Sequence, residues 1–192
     1  MVNAMRLRIT LLSTMSMYLL VAGPVWADPI TFDCDVAANK YNFFPSITDL
    51  TSGPPTISGV IESKEFHSGQ YLPAAGALLR DAPDQNYWSF QIFARYQHAR
   101  YFDIKMNSTI GGRTRSKYVG KGVSKNKPVP FSLTLQHNGT VHLQIADQSF
   151  YDAFVRLPKT ERAIFCSSGH FKFSEVRFGS IDSESSPHRV AS

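Results

Sequence analysis

Five polar residues of types that bind hydroxyl and carboxylate groups lie close together in one stretch of the sequence: Gln91, Arg95, Tyr101, Asp103 and Lys105. Amides and guanidinium groups form hydrogen bonds with such ligands, and a tyrosine ring offers a flat surface for stacking. Their spacing places them on the strand faces opposite a row of large apolar side chains. The pattern predicts a ligand-binding sheet face here, and an ordinary solvated face is the alternative.

Part of the same stretch contains the residue types needed for elimination chemistry on acidic polymers: Arg95, Tyr96, His98 and Tyr101. A tyrosine and a histidine can transfer protons, while an arginine can neutralise a carboxylate so that the neighbouring proton becomes removable. The local motifs of polysaccharide lyases are absent, and a turn is the simplest location for His98. We therefore predict no catalytic residues and keep a polysaccharide-active enzyme, a lyase before a hydrolase, as the alternative.

A basic segment follows, and Arg113, Arg115 and Lys117 are its first cations. Such a segment could bind an anionic glycan or lipid head group. The glycines near it do not form a phosphate loop, because no helix follows whose N-terminus could receive a phosphate. These three residues are predicted to bind an anionic ligand, and a solvated basic loop is the alternative.

The first 27 residues have the pattern of a secretory signal peptide. Arg6 and Arg8 precede an apolar run, and Val25-Trp26-Ala27 forms a cleavage site. The apolar run is about 15 residues long, which is short for a membrane span of about 20. The pattern predicts an exported protein, periplasmic or extracellular, without a membrane span. Its formal charge falls from +5 to +3 when the two leader arginines are removed, and export argues against a nucleic-acid partner.

The two cysteines, Cys34 and Cys166, lie near opposite ends of the mature chain. An even count in an oxidising compartment predicts one disulfide. Closing a loop of this length would restrict the unfolded chain by about 4 to 5 kcal/mol in the chain-entropy model. Two buried free thiols are the alternative.

No histidine has the spacing of a zinc ligand set. Asp33 and Asp35 share one strand face and would need oxygen ligands from other loops to hold calcium. We predict no metal and no cofactor.

Short alternating runs of aromatic and β-branched residues, separated by Gly, Pro, Asn and Ser, predict an all-β domain. One helical turn is predicted from Ala74 to Leu79, and a bulge is predicted near Ser174 and Glu175, where the alternation changes phase. The predicted strands are Ile30 to Val36, Thr56 to Ser63, Tyr87 to Tyr96, Tyr101 to Ser108, Ser116 to Val123, Val129 to Gln136, Thr140 to Ala146, Ala163 to Cys166 and His170 to Phe178.

The strongest local pattern is the hairpin from Phe131 to Ile145. A two-residue Asn-Gly loop would put apolar side chains opposite polar ones. A three-residue loop, His137-Asn138-Gly139, instead pairs Leu135 with Val141 and Leu133 with Leu143, and six apolar side chains then share one face. Gly139 would take the left-handed position of that loop.

Antiparallel strands joined near both termini by a disulfide predict a two-sheet sandwich in which the first and last strands are neighbours. At this level the chain resembles the concanavalin A-like, or laminin G-like, jelly-roll superfamily. The resemblance rests on Ile30-Thr-Phe-Asp-Cys-Asp35, Ile57-Ser-Gly-Val-Ile61, the Phe131 to Ile145 hairpin and the Gly169 to Phe178 run. It implies a double sheet whose concave side often holds carbohydrate, in a superfamily that includes lectins, binding modules, glucanases and lyases.

The glucanases of this superfamily carry Glu-x-Asp-x-Glu on one strand, and this sequence departs from that pattern. The closest carboxylate groupings are Asp33 with Asp35, Glu62 with Glu65, and Asp182 with Glu184. Hydrolysis needs two carboxyl groups at a defined separation, and no local pair predicts one. A glucanase activity is therefore disfavoured.

Together these patterns predict one β-sandwich domain at 28–179, after the leader at 1–27 and before a flexible tail at 180–192. The predicted function is a non-catalytic binding module for a glycan or other anionic envelope component. An envelope structural or assembly protein is a further alternative. The sequence leaves the oligomeric state open.

Overall fold

The computed structural model describes residues 29–44, 47–48, 53–81, 85–96, 98–125, 127–157 and 159–180. The predicted leader, and the predicted tail beyond Ser180, lie outside these residues. Within them no helix is long and apolar enough to cross a membrane.

The described residues form antiparallel β-strands, as the alternating sequence pattern predicts. The strands are β1 Ile30–Phe43, β2 Ile47–Thr48, β3 Pro55–Phe66, β4 Ala74–Arg80, β5 Tyr87–Phe93, β6 Tyr101–Ile110, β7 Arg113–Ser124, β8 Val129–Leu135, β9 Thr140–Ile145, β10 Gln148–Ala153 and β11 Glu161–Ser180.

Strand β11 belongs to both layers of a two-sheet sandwich. Its C-terminal half pairs with β3, which continues through β8 and β9 to the edge strand β10, and this is sheet one. Its N-terminal half pairs with β4, which continues through β5 and β6 to the edge strand β7, and this is sheet two. Strand β1 follows β11 along both halves. The first and last strands are therefore neighbours, as predicted.

The two long strands bend at the same level. Asn39 in β1 and Ser168 in β11 both have positive φ, at 65° and 48°, and the pairing of β1 shifts between Val36 and Tyr41. The backbone N–H of Asn39 donates a hydrogen bond to Ser168 Oγ at 3.1 Å. This contact joins the two bends where the strands pass from one sheet to the other.

Aromatic and aliphatic side chains from both sheets fill the space between them. Phe90 of β5 and Phe131 of β8 lie with ring centroids 5.3 Å apart, although their strands are not neighbours in the sheet order. Both side chains are buried. Such cross-sheet contact removes apolar surface from water, which is the main stabilising contribution of a sandwich core.

The predicted disulfide is confirmed. Cys34 of β1 and Cys166 of β11 are bonded, with Cα atoms 6.3 Å apart and a sequence separation of 132. Both residues are fully buried. The disulfide covalently links the first strand to the last one within the core.

The predicted hairpin register is also confirmed. Leu135 pairs with Val141 and Leu133 with Leu143. Gly139 has φ 83°, and a Cβ there would lie 2.7 Å from the Phe154 carbonyl oxygen. The loop therefore needs glycine both for its backbone conformation and for its close approach to the following segment.

The predicted helical turn at Ala74 to Leu79 is wrong, because these residues form strand β4 between β11 and β5. The three alanines of Ala-Ala-Gly-Ala favour helix locally, yet the strand is buried on both faces. A Cβ at Gly76 would collide with the Phe90 carbonyl oxygen. Close packing between neighbouring strands overrides the local preference.

Several strand boundaries also differ from the prediction. Strand β11 runs through the predicted break between Cys166 and His170, and its last residue is Ser180. Strand β10 was not predicted. The predicted bulge is confirmed, because the pairing of β11 shifts between Ser174 and Arg177.

Candidate functional site

One face of sheet two carries a continuous row of cross-strand partner residues across six strands. Cross-strand partners share a face, so the pairings place these residues in register on the outer side, away from the core. The row consists of Phe43, Phe165, Gly76, Gln91, Lys105 and Tyr118, contributed by β1, β11, β4, β5, β6 and β7 respectively.

Two adjoining cavities, of about 330 and 450 Å³, lie on this row and share Phe43, Phe165 and Gln91. We call them together the aromatic groove. The lining side chains that the argument uses are Tyr41, Phe43, Tyr71, Gln91, Asn107 and Phe165. Gly76 pairs with both Phe165 and Gln91 and has no side chain, so the floor stays open between those residues.

One end of the groove is formed by exposed aromatic rings. Tyr41 is 63% exposed and Phe43 is 43% exposed, and their ring centroids are 5.3 Å apart in an edge-to-face contact. Phe43 also contacts Phe165, with centroids 5.8 Å apart. Large exposed aromatics in mutual contact form an apolar surface of the kind that marks a binding site.

Tyr71 joins this end from the loop between β3 and β4 and is half exposed. The loop is fixed to the bend of β1, because Asn39 Oδ1 accepts hydrogen bonds from the Gln70 amide and, at 3.0 Å, from the Tyr71 amide. The residue that bends β1 between the sheets therefore also holds the loop that borders the groove.

Polar groups lie on the floor between the aromatic side chains. Asn107 is fixed, since its Nδ2 donates to Ser89 Oγ at 3.3 Å and its Oδ1 accepts from Ser116 Oγ at 2.8 Å. Gln91 is partly exposed and forms no side-chain hydrogen bond with the residues that the structure describes. Its amide is available to donate to and accept from a ligand hydroxyl.

Lys105 lies beyond Gln91 on the same row. Its Nζ is 5.9 Å from the centroid of the Tyr118 ring, and Tyr118 in turn contacts Phe93, with centroids 5.8 Å apart. The predicted binding residues Gln91 and Lys105 are thus brought together on one sheet face.

A different cavity, of about 590 Å³, collects three other predicted residues, Arg95, Tyr101 and Asp103, at the loop between β5 and β6. Tyr96 and His98 also line this loop cavity, so the residue types considered for elimination chemistry do meet. Arg95 Nε donates a hydrogen bond to the Asp103 carboxylate, and this pairing raises the pKa of Arg95.

The predicted basic residues Arg113, Arg115 and Lys117 lie elsewhere again. They belong to the edge strand β7 and not to a loop, and all three are exposed. They line a cleft of about 290 Å³ between the open edges of the two sheets, together with Met106, Ser108, Ile110, Asp152 and Ala153. We call this the edge cleft. Of the eight predicted site residues, Gln91 lines the aromatic groove, three line the loop cavity and three line the edge cleft, while Lys105 lies beside Gln91 on the outer face.

Asp33 and Asp35, considered as calcium ligands, both lie close to histidines. Asp33 Oδ1 is 2.5 Å from His170 Nε2, and Asp35 Oδ1 is 3.9 Å from His67 Nε2. No cluster of three or more His, Cys, Asp or Glu side chains arranged to hold a metal occurs in the described part of the chain.

Sequence reasoning missed the aromatic end of the groove. Tyr41 and Phe43 alternate about Asn42, which is a strand pattern, but Asn39 and Lys40 interrupt the preceding run and the predicted strand ended at Val36. Phe165 was predicted to lie in a strand, yet nothing in the sequence indicated that it faces Gln91 across a glycine.

No family model and no curated protein matches this sequence. The structure is similar to a β-glucanase from Bacillus licheniformis, with TM-score 0.52, 10% identity and coverage of 84% of this chain and 100% of that one. It is similar to the CBM2 module of the evolved Dit protein of Lactobacillus casei BL23 phage J-1, with TM-score 0.51, 10% identity and coverage of 82% and 77%.

A third similar structure is the carbohydrate recognition domain of Emp47p, with TM-score 0.50, 12% identity and coverage of 84% of this chain and 92% of that one. The structural similarity shows a shared fold. At sequence identities this low, the ligand and the activity must be argued from the side chains. The chain has the concanavalin A-like jelly-roll fold that its sequence resembles.

Proposed function

We propose that this chain is a non-catalytic glycan-binding module of an exported protein and that the aromatic groove is its binding site. The observation that carries the proposal is the row of residues on the outer face. Phe43 and Phe165 lie on one side of Gly76, and Gln91 and Lys105 lie on the other. A carbohydrate recognition domain and a carbohydrate-binding module share the fold, which supports the proposal.

The chemistry of a sugar ring matches the composition of the groove. A pyranose has apolar C–H faces that can pack on an aromatic ring, and a periphery of hydroxyls that need hydrogen-bond partners. Tyr41, Phe43 and Tyr71 supply exposed rings at one end. The Gln91 amide supplies a donor and an acceptor on the floor. Apolar walls with a few oriented polar groups are typical of small-molecule sites.

Export is supported by two independent features. The leader pattern at residues 1–27 indicates secretion, and a buried disulfide between Cys34 and Cys166 is favoured in an oxidising compartment such as the periplasm or the extracellular space. A glycan of the cell envelope or the extracellular space would be available to the protein in either compartment.

The test is a glycan array followed by calorimetry with the best oligosaccharide, using the mature chain and the variants Tyr41→Ala and Gln91→Ala. We expect each to weaken binding about tenfold or more, as for the loss of a central aromatic or hydrogen-bonding contact. Tyr151→Ala is the matched control, because Tyr151 is 64% exposed, much like Tyr41, but lies on sheet one. Absence of glycan binding, or equal loss in the control, would refute the proposal.

The loop cavity favours a second candidate, a polysaccharide lyase. Arg95, Tyr96, His98 and Tyr101 line it together, so a base could remove the proton next to a uronate carboxylate while an acid protonates the leaving glycosidic oxygen. The Arg95 guanidinium, however, is paired with Asp103 and is less available to a substrate carboxylate. Ultraviolet absorbance of unsaturated products from uronic-acid polymers, lost in His98→Ala, would establish the lyase. If the absorbance does not rise, or rises equally with His98→Ala, the loop cavity is not the site of a lyase.

A further inference from the structure

The edge cleft places three cations in a line on one face of strand β7. Arg113, Arg115 and Lys117 pair with Ile110, Ser108 and Met106 of β6. Alternate residues of a strand point to the same side and are about 7 Å apart along it. The three side chains therefore project to the same side of sheet two as Met106, which belongs to the core.

Within the described part of the protein the cleft keeps a net positive charge, because three cations lie with one carboxylate. Arg113, Arg115 and Lys117 are all exposed, and none has an ion pair within 4.0 Å with a described carboxylate. Asp152 is the acidic residue that lines the cleft. Its Oδ2 accepts a hydrogen bond from the Trp88 indole at 3.1 Å. This bond ties the carboxylate to a side chain of the core.

The position of β7 leaves room for an extended ligand. It is an edge strand of the sheet path, as is β10 across the cleft, so a chain-like molecule can lie along the three cations. Ile110, which is 45% exposed, adds apolar surface beside them. Guanidinium groups form two parallel hydrogen bonds with carboxylate or sulfate, whereas a neutral sugar would leave three cations unpaired.

We infer that the edge cleft binds a linear acidic polysaccharide, one with carboxylate or sulfate groups repeated along the chain, at a site separate from the aromatic groove. The cations face the core side of β7, while Tyr118 of the groove row pairs with Lys105 on the outer face. That the ligand is a polysaccharide rests on the proposed function. Where it binds, and that it is acidic, rests on the three cations of the cleft.

The test measures binding of the mature chain to heparin, polygalacturonate and neutral dextran at low and high salt. The variant replaces all three cations by glutamine: Arg113→Gln, Arg115→Gln and Lys117→Gln. The matched control removes the same charge from exposed positions elsewhere: Lys40→Gln, Lys159→Gln and Lys172→Gln. Heparin and polygalacturonate distinguish sulfate from carboxylate recognition, and dextran shows whether charge is needed.

We expect the cleft variant to bind at least one acidic polymer about tenfold more weakly or worse at low salt, and the difference to shrink as salt screens the charges. Equal weakening in the control would show a net-charge effect only and overturn the proposal. Unchanged binding, or aggregation as the only effect, would assign the cations to protection of an edge strand and also overturn it.

Tyr41→Ala in the same series reports on the aromatic groove. If the groove fails as a glycan site, this variant retains binding of every polymer while the cleft variant still loses the acidic ones. If the cleft fails, the cleft variant behaves either as the unmodified chain or as the lysine control, whatever Tyr41→Ala does. The two proposals are therefore separable in one experiment.

Discussion

Trp88 of sheet two donates its indole N–H to the carboxylate of Asp152 in sheet one at 3.1 Å. Trp88 is fully buried, so this hydrogen bond satisfies a polar group that water cannot reach. The contact also joins β5 to the edge strand β10, beside the cleft that carries the three cations.

Asp152→Ala should lower the free energy of unfolding by about 1 to 3 kcal/mol, because the buried indole N–H loses its acceptor. Denaturant unfolding followed by tryptophan fluorescence measures the change. Gln144→Ala on the neighbouring strand is the control, since Gln144 is exposed, and should be nearly neutral. An equal effect of both substitutions would show that the hydrogen bond contributes little.

The double variant Cys34→Ser and Cys166→Ser should lose about 2 to 5 kcal/mol of stability, because the unfolded chain regains the entropy of a long open loop. Thermal unfolding of the variant, compared with the oxidised chain, measures this. The oxidised chain should also resist mild reductant while folded, since both cysteines are fully buried. A midpoint that stays the same would contradict a stabilising role.

Gly139→Ala should destabilise the protein more than Gly111→Ala. Both glycines have positive φ, so both substitutions strain the backbone by about 1 kcal/mol. A Cβ at Gly139 would in addition lie 2.7 Å from the Phe154 carbonyl oxygen, whereas nothing lies within 4 Å at Gly111. Chemical denaturation of the two variants tests the order, and a larger loss at Gly111 would refute it.

The pKa of Glu62 should lie below the ordinary range for glutamate, because Lys64 donates a hydrogen bond to its carboxylate at 2.6 Å and adds a favourable charge. Lys64→Gln should raise the Glu62 pKa, and NMR titration of the side-chain carboxyl measures the shift. Any stability from this lowered pKa is present above the unfolded-state pKa and is lost as pH falls through the folded value. A midpoint unaffected by the substitution would contradict the pairing.

Local patterns predicted those features in which neighbours along the chain decide the outcome. The Leu133 and Leu143 pairing followed from the loop length that puts apolar side chains on one buried face. The bulge at Ser174 followed from a change of phase within one run. Such features depend on interactions between residues a few positions apart, so the sequence alone contains the information needed to infer them.

The same local argument was wrong for β4. Alanine favours helix when no other contact competes, and the prediction of a helical turn at Ala74 to Leu79 used only that preference. The neighbouring strands β11 and β5 supply hydrogen bonds on both edges, and Gly76 permits their close approach. Interactions with distant segments therefore decided the conformation.

By itself the sequence determined an all-β chain, the face that each main strand buries and the hairpin register, because alternation and loop length act within a few residues. Only the tertiary structure decided which strands became neighbours. Phe43, Gln91 and Phe165 line one groove because β1, β5 and β11 meet in sheet two. The predicted binding residues, by contrast, lie on the consecutive strands β5, β6 and β7 and the loop between β5 and β6, and only the structure shows which cavity each of them lines.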